Sequence, residues 1–145
     1  MRKFIIGLLL VASNSAFACI ASENLDIYFN ENSPVIPNSE VVRVANWVAE
    51  QKVYYANHTT GEETLISGHA EESEHTPQDL AKSRLQAGQA LLAQLGFLRG
   101  TVRASTRVYA HDDVDNGRRV EISFLPECPN KCCMGPNLNP APKSQ

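Results

Sequence analysis

The sequence predicts a single α/β (α+β) two-layer sandwich, a mixed sheet covered by two helices in the order β-α-β-α-β-β. Three observations predict it. Four short segments read as strands, three of them with the two-residue alternation of apolar and polar residues. Two longer segments between them repeat apolar residues with the period of a helix. The turn-forming residues fall between these segments rather than inside them. A helix between two strands returns the chain for parallel pairing, and two strands joined by a polar loop predict a closing antiparallel hairpin. With 145 residues, 43% of them hydrophobic, the chain has enough for one core.

The first strand is Leu25 to Asn30, with Leu25, Ile27 and Phe29 facing one way and Asp26, Tyr28 and Asn30 the other. Glu31 to Pro37 carries two prolines and reads as a turn. Asn38 or Ser39 caps a helix whose stripe is Val41, Val44, Ala45 and Val48, with Trp47 beside it. The stretch 52–61 has no clear period and turns loop-like after Asn57. Glu63 to Ser67 is a second strand that runs into Gly68, and His69 to His75 is a polar loop. Thr76 then caps the best-marked helix, with Pro77 at its first position and Asp79 placed for a capping box. That helix runs through Leu80, Ala81, Leu85, Gly88, Leu91, Leu92 and Leu95 and stops at Gly96. Thr101 to Tyr109 is the third strand, with Val102, Ala104, Thr106 and Val108 on one face. Asn116-Gly117 is a hairpin turn pair, and Arg118 to Leu125 is the fourth strand, with Val120, Ile122 and Phe124 inward.

The folded domain therefore spans 25–125, between two segments of different character. Residues 1–18 read as an export signal: Arg2 and Lys3, the apolar run Phe4 to Ala12, and the small-x-small site Ala16-Phe17-Ala18. Removing them takes away two positive and no negative charges, so a net charge of −3 becomes −5. An acidic chain without a basic patch excludes nucleic acid as a partner. No later stretch is apolar for long enough to span a bilayer. Residues 126–145 hold five prolines and read as an irregular tail.

Export to an oxidising compartment makes Cys19, Cys128, Cys132 and Cys133 disulfide candidates, although adjacent Cys132 and Cys133 rarely bond to each other. Cys19 directly follows the cleavage site, so lipidation competes with ordinary cleavage. Ala16 and Phe17 suit ordinary cleavage better, which gives a periplasmic product. Attachment to the outer membrane follows only if Cys19 is lipidated. The cysteine tail also offers soft metal ligands, so a periplasmic metal-binding protein is an alternative. His58, His69, His75 and His111, however, show no paired spacing for a closed site, and the expectation is no metal and no cofactor. No nucleophile motif, paired-histidine zinc motif or phosphate loop is present, so the expectation is a non-enzymatic protein.

Three segments, in order, carry a resemblance. The first is Ile27-Tyr28-Phe29 followed by Pro34 to Val41. The second is Ile66-Ser67-Gly68-His69-Ala70-Glu71 followed by Asp79-Leu80-Ala81-Lys82-Ser83-Arg84-Leu85. The third is Asn116 with Arg118-Arg119-Val120-Glu121-Ile122. Together they resemble the OmpA C-terminal-like family, which includes the peptidoglycan-associated lipoproteins and the stator protein MotB. The resemblance covers Leu25 to Leu125. It implies noncovalent binding of peptidoglycan in a Gram-negative envelope, through the zwitterionic end of the diaminopimelate in its stem peptide. An aspartate after the second strand would hold the ammonium and an arginine on the next helix the carboxylate. A guanidinium suits that task because it grips a carboxylate through two parallel hydrogen bonds. Glu71 matches the aspartate position, Arg84 matches the arginine, and Arg119 is a secondary peptidoglycan-binding candidate. Arg84 is expected roughly 10 Å along its helix, at 1.5 Å per residue, in a cleft where its loss spares the fold.

Several positions depart from the pattern. Glu71 is longer than aspartate, Ala70 replaces a threonine, and the Glu71 to Arg84 stretch is about two residues short. It lacks the usual glycine, and Gln78 and Asp79 stand where an asparagine is common. A shortened loop displaces ligand groups. The resemblance therefore also allows a scaffold that has lost wall binding and serves as a protein-interaction module for other envelope proteins.

Overall fold

The computed structural model of the protein describes residues 22–56, 63–98, 100–110 and 113–126. The export signal, His58, His111 and all four cysteines lie outside the described residues. The elements are β1 (Glu23–Tyr28), α1 (Asn38–Tyr54), β2 (Glu63–Glu71), α2 (Pro77–Gln94), β3 (Thr101–Tyr109) and β4 (Arg119–Leu125). The four strands form one mixed sheet in the order β1-β4-β2-β3. β4 is antiparallel to both β1 and β2, and β3 is parallel to β2 across the α2 crossover. The expected two-layer sandwich is present.

Its closing hairpin is not. β2 lies between β3 and β4, so β4 does not pair with β3. Asn116-Gly117 makes no left-handed turn. Gly117 is needed there for closeness, because a Cβ on it would meet Glu71 Cγ at 2.8 Å and Tyr109 Cδ2 at 3.3 Å. β2 is also longer than expected. It continues through His69 and Ala70 to Glu71, each matched to a residue of β3. The Thr76 cap differs as well. Its backbone is left-handed, with φ of 45°, and its side chain makes no capping hydrogen bond. A β-branched residue is strained in that region, and Pro77 behind it disfavours the right-handed alternative.

The core lies between one face of the sheet and both helices. In-register rows place Ile27 beside Val120, Leu25 beside Ile122, and Ile122 beside Ile66. Val44 and Val48 of α1 and Leu85 and Leu92 of α2 close over them. Each such side chain, fully buried, contributes about 1.5–3 kcal/mol. Trp47 packs against Phe97 at 5.0 Å between ring centres, and Phe97 meets Phe124 at 5.0 Å. At Gly68 the backbone of α2 comes so near that a Cβ would lie 2.3 Å from the Ala81 carbonyl oxygen and 2.6 Å from Leu85 Cβ. That approach sets the depth at which α2 sits on the sheet. β3 falls outside this cover: Thr101 to Arg107 are exposed, including Val102, Ala104 and Thr106 of its apolar face.

The register puts the end of β1, the end of β2, the end of β3 and the start of β4 at one end of the sheet, where Tyr28 pairs with Arg119 and Glu71 with Tyr109. The connections 29–37, 72–76 and 110–118 therefore gather at that end, beside the start of α2.

Candidate functional site

Arg84 stands at the centre of this gathering and is completely buried, with 0% of its surface exposed. Its position two turns into α2 turns it away from solvent, beneath the 29–37 and 72–76 connections. Nη1 donates to Glu74 Oε2 at 2.7 Å and Nη2 to Glu74 Oε1 at 2.5 Å, a two-bond fork on one carboxylate. The other donors go to backbone carbonyls: Nη1 to His69 at 3.1 Å, Nη2 to Asn30 at 3.1 Å and Nε to Ser33 at 3.1 Å. A guanidinium has five N–H donors, and all five are spent. The Phe29 ring lies 5.3 Å from its carbon.

Glu74 is as fully engaged. Besides the fork it accepts the Asn32 amide at 2.8 Å and the Glu71 amide at 3.0 Å. Asn32 in turn accepts the His75 amide through Oδ1 at 2.7 Å. It adopts a left-handed backbone, φ 54°, which asparagine tolerates better than most residues. Burial pushes the Glu74 carboxyl up, but the hydrogen bonds from Arg84 and the two amides, with the Arg84 charge, outweigh it and hold the carboxyl below the usual carboxylate range.

Glu71 and Arg84 come together only through the backbone. The Glu71 amide touches the carboxylate that Arg84 grips, while the Glu71 side chain points to the other connection. Its Oε1 accepts the Gly117 amide at 3.0 Å and lies 3.8 Å from Arg118 Nε. Its side chain is 25% exposed. Arg119 does not join them. It donates to Glu121 Oε1 through Nε at 2.8 Å and to the Asn116 carbonyl through Nη1 at 2.5 Å, and its carbon lies 5.7 Å from the Tyr109 ring centre. Sequence reasoning missed Glu74. The only available signal was an acid inside the shortened loop, and nothing in the sequence separates it from Glu72 as the partner of Arg84.

His69, first read as loop, is buried on β2 and stacked on Tyr109 at 5.0 Å. Neither ring nitrogen has a hydrogen bond among the described residues, and Nε2 lies 3.4 Å from Glu121 Oε2. Burial pushes its pKa below the ordinary 6.5, more strongly than the nearby Glu121 carboxylate raises it. A histidine held neutral in the fold is protonated first in the unfolded chain. Its contribution to stability is therefore lost as pH falls from 6.5 towards the lower folded value. Glu74 adds a second loss, beginning below its ordinary value of 4.5, for the same sign of shift. We expect the urea midpoint to fall in two stages on acidification. His69→Phe, which keeps the ring stack, should remove the upper stage and leave the lower one. An unchanged upper stage in that variant would mean that His69 is not its source.

Among the described residues no group of three or more histidines, cysteines or acids could hold a metal ion. None of the described helices is long and apolar enough to cross a membrane.

No protein-family model matches the chain, and no curated protein does. Solved structures do. The OmpA-like domain of FopA1 from Francisella tularensis subsp. tularensis SCHU S4 is 18% identical, over 71% of this chain and 72% of that one, with a TM-score of 0.51. The C-terminal domain of Helicobacter pylori MotB is 18% identical over 71% and 85%, with a TM-score of 0.53. A longer periplasmic piece of the same MotB is 16% identical over 74% and 75%, also at 0.53.

Proposed function

The chain has the OmpA-like fold, and we propose from it a non-enzymatic protein of the Gram-negative cell envelope that holds peptidoglycan noncovalently from the periplasmic side. Within the wall, the group recognised is the zwitterionic end of diaminopimelate in the stem peptide. One observation carries this reading: Arg84 sits at the floor of the three gathered connections with its fork already closed on a carboxylate. The seat is built for that group. In the bound state a ligand carboxylate replaces Glu74, whose short connection 72–76 swings outward. The carboxylate of Glu71, a side chain 25% exposed, receives the ammonium.

The same geometry favours a second reading. With all its donors spent inside the fold, Arg84 serves structure alone, and the domain acts as an interaction module for other envelope proteins. Sedimentation with purified peptidoglycan separates the two. The first reading expects the protein to sediment, and excess free diaminopimelate to release it. Glu71→Gln keeps an acceptor for the Gly117 amide but removes the charge. It should fold normally and sediment at least about tenfold less, the loss of a charged hydrogen bond. Failure of the unmodified protein to sediment would sink the wall reading and leave the second.

A further inference from the structure

β3 closes the sheet as a long, open edge. It keeps unbroken register with β2 over nine residues, from Glu63 opposite Thr101 to Glu71 opposite Tyr109. It contains no proline and no bulge. Among the described residues no strand lies on its outer side. Seven consecutive residues, Thr101 to Arg107, are exposed on both faces of the strand. Sheets commonly blunt such edges by shortness, proline, a bulge or a covering element, and otherwise by charge. Only charge is found here. Arg103 and Arg107 are four residues apart and so share the face away from the helices. Arg103 pairs with Glu63. The Arg107 guanidinium lies 4.6 Å from the Tyr109 ring centre and has no ion pair among the described residues. Val102, Ala104 and Thr106 point to the helix side, where α2 leaves them uncovered. No acid lies on β3.

We propose that the outer edge of β3 is a docking site for an extended, acidic segment of another polypeptide, which adds to the sheet as a fifth strand. The outward N–H and C=O groups of the strand supply a ladder of main-chain hydrogen bonds, and side chains at alternate positions supply selection. Acids on the incoming strand meet Arg107 and Arg103. Small apolar residues between those acids cover Val102 and Ala104. The chain's own tail does not fit this role, because residues 126–145 carry five prolines and two lysines against one glutamate. A second copy fits poorly too. Antiparallel pairing of β3 with itself gathers four arginines on one face at diagonal spacings of roughly 7–8 Å, with no acid on either strand.

This site is separate from the Arg84 seat and does not depend on wall binding. The probe is a synthetic nine-residue peptide alternating glutamate and valine, with a lysine–valine peptide as control. Each is titrated into the full chain while backbone amide signals are followed by NMR. The expected result is saturable shifts from the acidic peptide confined to Thr101–Arg107 and its β2 neighbours, and none from the basic one. Arg103→Gln/Arg107→Gln should weaken the acidic peptide at least about tenfold. Arg103→Glu/Arg107→Glu should reverse the preference. Equal response to both peptides, shifts centred elsewhere, or no saturable shift would overturn the proposal. So would self-association through β3 that the acidic peptide cannot displace.

Discussion

Glu74→Gln is expected to lower the unfolding free energy by about 3–5 kcal/mol, the cost of stranding a buried charge without its partner. For a domain of this size that is a fall in melting temperature of at least about 12 °C. The amide offers one acceptor where the carboxylate offered two, and turns an N–H group towards a guanidinium that can only donate. Arg84→Met should cost at least as much, because it also strips the donors from the Asn30, Ser33 and His69 carbonyls. The two variants should differ in their pH response. An arginine keeps its charge at any accessible pH, so Glu74→Gln should simply lack the acid stage that Glu74 gives the unmodified protein. In Arg84→Met the stranded carboxyl can neutralise itself by taking up a proton. Its folded pKa is then raised, so that variant should gain relative stability as pH falls towards 4.5. Urea unfolding of the three proteins between pH 3 and 7 reads all of this. A loss below about 1 kcal/mol in Glu74→Gln would place the pair in solvent.

The second large effect is expected at Gly68. A single added methyl would sit 2.3 Å from the Ala81 carbonyl oxygen, a helix backbone atom that cannot rotate away. Gly68→Ala must therefore lift α2 off β2 and loosen the contacts of Leu85 and Leu92 beneath it. We expect a loss of about 3 kcal/mol, the upper range for overpacking, and a weakened Arg84–Glu74 pair, since Arg84 rides on the same helix. The far-UV spectrum should be kept while thermal unfolding shifts down. Retention of full stability would show that α2 does not set its depth at this residue.

Periodicity made most of the fold legible. β3 spans Thr101–Tyr109 in the sequence reading and in the structure, and α2 starts at Pro77 in both. The inward rows of β4 follow its alternation, with Val120, Ile122 and Phe124 all buried. Strand order was not legible, because alternation records which face is buried and says nothing about neighbours. That is why β3 and β4 read as a hairpin although β2 separates them. The same blindness hid that the Val102 and Ala104 face of β3 lies uncovered, since an edge strand beyond the reach of a helix keeps its alternating pattern. His69 to Glu71 read as loop because they are polar, yet ladder bonds to β3 and the Tyr109 ring make that polarity tolerable at the end of a strand. At the site, the resemblance led to Arg84 and Glu71, but the buried state of Arg84 also depends on Asn30 and Ser33, from the stretch after β1. Residues more than forty positions apart meet only after the sheet has formed.

The central place of β4 bears on the order in which the molecule is made. Among the described residues β1 has a single strand neighbour, β4, and its pairings run from Glu23 opposite Phe124 to Tyr28 opposite Arg119. Of the described strands, β1 is therefore made before the β4 it pairs with, about a hundred residues later. β4 must then slot between two strands already present. Loop-closure entropy makes such a topology slow to nucleate. A nascent chain that stops short of β4 leaves β1 without the partner it has in the sheet, and β2 and β3 as a pair open on one side.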